Sequence, residues 1–179
     1  RFLDEGKLIL GICNGFQALV KAGILPGFAD TPFSFDTQPV TITDNDSGKF
    51  EDRWVHLEVV GDRCVFLEPG RRFYLPVAHG EGKVVTRDAA TLERLRSEGH
   101  IALRYVDAEG RPGDFPINPN GSVDAIAGLT DATGRVLGLM PHPERYIHPT
   151  QHPHWTRLGA PRPDGTMFFT RAVEYVRER

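Results

Sequence analysis

Hydrophobic and polar positions follow two rhythms along this chain. Leu8-Ile9-Leu10 is an apolar run of strand length that stops at Gly11-Ile12-Cys13-Asn14-Gly15. From Asn14 to Ala22, the residues Phe16, Leu19 and Val20 recur at helical spacing, and Gly23 supplies the left-handed residue that ends such a helix. Thr37 to Thr43 and Trp54 to Val60 alternate as half-buried strands around the turn cluster Asn45-Asp46-Ser47-Gly48, so they are expected to pair antiparallel.

Further on, Phe73 to Ala78 reads as a strand, and His79-Gly80-Glu81-Gly82 as a glycine-bracketed turn. Asp88 is placed to cap a short helix closed by Gly99, and Ile101 to Val106 is a strand. Asp107 to Ser122 is rich in turn residues; Val123 to Leu129 and Arg135 to Met140 flank Asp131-Ala132-Thr133-Gly134 as a hairpin. Thr166 to Arg179 has Phe168, Phe169, Ala172, Val173 and Val176 on one helical face, which predicts an amphipathic closing helix. Strands mixed with flanking helices give an α/β fold with antiparallel strand insertions.

At 179 residues the chain suits one domain, residues 1–179, with a substantial core. A net charge of −3 argues against nucleic acid or an anionic membrane as the main partner. Two cysteines are too few for a disulfide framework, and no apolar run is long enough to cross a bilayer, so a cytoplasmic setting is expected. The sequence opens on Arg1 almost inside its motif, and the polypeptide is expected to start earlier.

A buried strand running through G-x-C-x-G into a helix has the pattern of a nucleophile elbow. Gly11 and Gly15 relieve crowding around the turn, and the helix start favours a thiolate at Cys13. A cysteine in this position also serves as a small buried hydrophobe, so the residues downstream decide the matter. A thiol nucleophile needs a base and a carboxylate that orients it, and Met140-Pro141-His142-Pro143-Glu144-Arg145 offers both at the mouth of a strand. Spacing of two in proline-stiffened extended chain puts His142 and Glu144 on the same side.

Gly11-Ile12-Cys13-Asn14-Gly15-Phe16-Gln17 with the later Pro141-His142-Pro143-Glu144-Arg145 resembles the class I (triad) glutamine amidotransferases, whose domain is flavodoxin-like. More narrowly, the chain is similar to the glutaminase of phosphoribosylformylglycinamidine synthase. That match rests on Asn45-Asp46-Ser47-Gly48-Lys49-Phe50 leading to Arg53-Trp54, Pro76-Val77-Ala78-His79-Gly80-Glu81-Gly82, Pro116 to Ser122, Asp124 to Gly128, and Gly134 to Met140, all in order.

The resemblance implies that Cys13 attacks the side-chain amide of glutamine to form a thioester. It implies that His142 moves the protons, that Glu144 orients His142, and that the Asn14 amide is an oxyanion donor. Gln17 and the backbone of His79, Gly80 and Glu81 would hold the substrate. It also implies earlier strands and a glycine-rich loop carrying a second oxyanion donor, all ahead of Arg1. No cofactor is expected in this chain, whereas ATP and Mg are expected in a synthetase partner, with a small third subunit, and ammonia would pass inside the complex. Two other readings remain open: an incomplete docking or regulatory module, and a different cysteine hydrolase such as a peptidase.

Other features are weaker. His142, His148, His152 and His154 match no standard zinc spacing, Cys64 has no elbow around it, and Trp155, Phe33, Phe35 and Arg53 are candidate partner or carboxylate contacts.

Overall fold

The computed structural model describes residues 1–31, 36–159 and 162–178. Phe33 and Phe35 lie outside them. Ile9–Ile12 forms β1, which runs directly into helix α1, Asn14–Lys21. Val40–Asp44 is β2, Glu51–Val59 is β3, Arg72–His79 is β4 and Glu81–Thr86 is β5. Helix α2 spans Ala89–Ser97, and the Asp88 carboxylate accepts from the Thr91 amide at 2.7 Å to cap it. Ile101–Val106 is β6, Ile126–Thr130 is β7, Val136–Leu139 is β8, Trp155–Leu158 is α3 and Thr166–Arg177 is α4.

The main sheet has the order β1-β8-β7-β6-β3-β4, and β2 pairs with β5 in a separate ribbon. Antiparallel pairing dominates this sheet: among the described residues, β1 and β8 are its one parallel pair. Alternation along the strands divides the core. Leu137 and Leu139 join Leu57, Tyr105, Phe73 and Phe168 of α4, while Val136 joins Phe16, Leu19 and Val20 of α1. Gly138 is needed where α1 crosses β8, because a Cβ there would stand 2.2 Å from the Phe16 ring.

The expected pairing of the two alternating segments does not occur. β2 pairs with β5, while β3 pairs with β4 and β6. The cause lies at Gly80: His79-Gly80-Glu81-Gly82 is no turn, but a bend where one long strand leaves the main sheet as β4 and enters the ribbon as β5. Each half recruits its own neighbour, so Glu51 pairs opposite His79 and Asp44 opposite Glu81. The β7–β8 hairpin forms as expected, after a short 3-10 turn at Val123–Ala125.

The closing helix departs from expectation on its apolar face. Phe168 is buried against Phe73, but Phe169, Val173 and Val176 are exposed.

Candidate active site

Cys13 stands where β1 ends and α1 begins, at φ 51° and ψ −107°. Such a left-handed backbone is costly for a residue with a side chain, and it projects the thiol clear of strand and helix. The Cys13 amide donates to the Leu139 carbonyl at 2.8 Å, anchoring the turn to β8. Gly11 is required, since a Cβ there would lie 2.5 Å from Leu19 and 2.8 Å from the Gly15 carbonyl. Gly15 is different: apart from its chain neighbours and its own helix backbone, no atom lies within 4 Å of the position its Cβ would take, so crowding by the rest of the fold does not select glycine there.

The neighbouring strand leads to His142, the expected base. Ile12 pairs with Leu139, so β1 and β8 end side by side, and His142 follows three residues later. The His142 ring is buried and its Nδ1 meets Glu144 Oε1 at 2.6 Å. The two do not stand on an extended chain, because Pro143 opens a 3-10 turn over Pro143–Arg145. Proline's fixed φ suits the first position of such a turn, and the turn folds Glu144 back onto the imidazole. With Nδ1–H committed to the carboxylate, Nε2 is left as the basic nitrogen. It is buried with no hydrogen-bond partner among the described residues, and so is Glu144 Oε2.

A second wall comes from β4. The His142 amide donates to the Pro76 carbonyl at 2.8 Å, and the Cys13 thiol lies 3.9 Å from the Ala78 carbonyl. β1 and β4 are opposite edges of the main sheet, so the sheet curls until its edges meet over the sulfur.

Burial pushes the Cys13 thiol up from its ordinary value, against the Asn14 backbone N–H and the Arg145 charge, which pull it down; Glu144 adds to the rise. The helix start therefore does not by itself produce a thiolate, because desolvation of the anion outweighs it. Cys64 is buried and is pushed up to about 12 by that burial, as befits an inert core thiol.

The remaining expected residues gather at the β4–β5 bend. Gln17 Nε2 donates to the Glu81 carbonyl at 2.7 Å, tying α1 to the bend. The His79 carbonyl accepts from Asn45 Nδ2 at 2.8 Å and the Gly80 carbonyl from the Asn45 amide at 2.9 Å. All three backbone carbonyls of His79, Gly80 and Glu81 thus have internal partners. Asn45 is the residue that sequence reasoning passed over: its place in a turn cluster hid a buried side chain that organises the bend.

Other candidates have structural duties. Arg53 pairs with buried Glu51 and lies 4.6 Å from the Phe115 ring centroid. His148 caps the 3-10 turn Pro149–Gln151, and His152 packs against Trp54 at 4.9 Å. Trp155 is exposed. Among the described residues no group of three or more His, Cys, Asp or Glu side chains is placed to hold a metal ion. No helix there is long and apolar enough to cross a membrane.

A model of the CobB/CobQ-like glutamine amidotransferase domain matches residues 1–176. The chain belongs to this family. Among curated proteins of the family, it is 46% identical to phosphoribosylformylglycinamidine synthase subunit PurQ of Dehalococcoides mccartyi, over 99% of this chain and 67% of that one. It is 41% identical to the subunit PurQ of Archaeoglobus fulgidus, over 98% of this chain and 65% of that one. The structure of PurLQS from Thermotoga maritima superposes with a TM-score of 0.70 at 32% identity, covering 98% of this chain and 65% of that one. The chain thus spans about two thirds of these relatives' length.

Proposed function

We propose that this chain carries the glutaminase centre of a phosphoribosylformylglycinamidine synthase. The observation that carries the reading is the parallel β1–β8 pair, which sets the strained Cys13 elbow beside a buried His142 already oriented by Glu144. The subunit PurQ relatives support the choice of enzyme.

In this mechanism His142 Nε2 takes the Cys13 proton, and the sulfur adds to the carboxamide carbon of glutamine. The oxyanion is met by the Asn14 amide. The C–N bond then breaks as His142 returns the proton to the departing ammonia, leaving a thioester on Cys13. A water molecule activated by the same imidazole releases glutamate. Because burial holds the resting thiol neutral, deprotonation belongs to the reaction step and not to the free protein. Gln17, His79, Gly80 and Glu81 shape the wall against which the substrate's α-amino and α-carboxylate groups lie.

Ammonia then passes within the complex to a synthetase subunit or domain, where ATP and Mg serve the conversion of formylglycinamide ribonucleotide. A small third subunit completes the assembly, in the cytoplasm, and this chain needs no cofactor of its own. The test is Cys13→Ser in the full-length chain assembled with its synthetase. Glutamate release disappears while supplied ammonia still supports the synthetase reaction; a variant that still turns over glutamine at the normal rate overturns the reading.

A further inference from the structure

The β4–β5 bend holds a second imidazole near the base, and its protonation state follows from hydrogen-bond geometry. Asn45 is buried, and its Nδ2 donates to two carbonyls, those of Lys49 and His79, each at 2.8 Å. Both donors of the amide are therefore spent, and the atom facing His79 Nδ1 at 3.0 Å is Oδ1, which can act there as an acceptor alone. His79 must carry its proton on Nδ1. Its Nε2 is then a bare acceptor, buried and without a partner among the described residues. Gly82 makes room for the ring, since a Cβ at that position would stand 2.3 Å from it.

The location gives the arrangement its consequence. His79 ends the strand whose Pro76 carbonyl accepts from the His142 amide and whose Ala78 carbonyl faces the Cys13 thiol. The two imidazoles are close enough for their charges to interact. His142 becomes an imidazolium during turnover, and a second cation beside it would oppose that step. We propose that Asn45 is a positioning residue that locks His79 as a neutral, Nδ1-protonated imidazole, so that His142 alone takes up the proton of Cys13.

An aspartate at position 45 would have done the opposite, by stabilising a charged His79. The groups whose charge acts on the ring are Glu51 on β3, directly opposite His79 in register, and His142 across the site. Glu51 is matched by Arg53 on its own strand, which leaves little negative charge free to draw a proton onto His79. Burial and the neighbouring His142 hold His79 well below its usual range, at about 4.

This inference rests on the glutaminase reading, and the experiment separates the two. In the full-length chain assembled with its synthetase, wild-type Cys13 is first reacted with a glutamine-analogue electrophile; absence of labelling would count against the glutaminase reading itself. Asn45→Asp and Asn45→Leu are then compared by the pH profile of kcat/KM for glutamine. Asn45→Asp is expected to move the acid limb upward by about one pH unit, since the aspartate stabilises a protonated His79 and full activity then returns only above the pH at which that ring becomes neutral. Asn45→Leu lowers kcat/KM and leaves the limb in place. An active Asn45→Asp enzyme with an unmoved limb overturns the proposal. Should that variant not fold, ring nitrogen NMR of wild type decides. The proposal expects bare Nε2 and no His79 titration between pH 6 and 8; the opposite tautomer, or titration in that range, refutes it.

Discussion

Cys13 and Ala78 occupy opposite edges of the six-stranded sheet, yet the thiol of one stands 3.9 Å from the carbonyl of the other. Closing that distance requires the whole sheet to curl, so the proposed catalytic geometry depends on strands that carry none of the proposed reacting groups. The bond from the His142 amide to the Pro76 carbonyl repeats the contact from the other side of the site. The elbow is therefore gripped between β8 and β4.

The two elbow glycines separate in consequence. Gly11→Ala drives a methyl group into Leu19 and the Gly15 carbonyl and is expected to cost about 1–3 kcal/mol. Gly15→Ala meets open space and should change stability by less than about 0.5 kcal/mol. Denaturant unfolding of both variants checks the contrast; equal losses would mean that the elbow is not packed as described.

Glu144→Gln keeps the shape beside His142 and removes the charge that stabilises its imidazolium. Turnover should fall by about 100- to 10,000-fold with little change in KM. Steady-state glutaminase kinetics test this, and a variant within about twofold of wild type in kcat would remove Glu144 from the mechanism.

Stability should depend on pH through His79. Its folded-state value, about 4, lies below the ordinary 6.5 because burial disfavours the charged ring. Between these values the unfolded chain binds the extra proton, so stability is retained above pH 6.5 and falls as pH drops toward 4, by up to about 3 kcal/mol. His56, His100 and His152 are also lowered by burial and add in the same direction. Unfolding curves from pH 7 to 4 should be less steep in pH for His79→Gln than for wild type. Parallel curves would show that the ring is not buried neutral.

Ala125 has φ 52°, next to Asp124 at φ 53°. Asp124 is held by Arg96 at 2.9 Å and by Arg104, whereas Ala125 contributes one methyl group. Ala125→Gly relieves the left-handed strain and should stabilise the fold by up to about 1 kcal/mol. A clear loss of stability in thermal unfolding would show that the packing of that methyl outweighs the strain.

Local signals carried much of the site. The strand, elbow and helix around Cys13 are encoded within a dozen residues by apolar spacing and glycine placement, and Asp88 and Gly99 mark α2 in the same local way. Partner choice between strands is not local. Alternation shows that β2 and β3 each have a buried face, but nothing in it says that a bend at Gly80 splits β4 from β5 and gives each a different neighbour. The same blindness hid Asn45, whose role exists only once residues 45, 49 and 79 meet. The closing helix shows a further limit: its apolar face is legible at Phe169, Val173 and Val176, but periodicity does not show what covers it. At Cys13 the balance between helix start and burial required the packed environment.

The central claim is that Cys13, and not Cys64, is the nucleophile for a glutamine side chain. Peptide mass mapping after treatment with a glutamine-analogue electrophile tests it most directly, with and without excess glutamine. The account predicts one adduct, on Cys13, suppressed by glutamine and lost in His142→Ala. An adduct on Cys64, or labelling of Cys13 that glutamine does not slow, would contradict it.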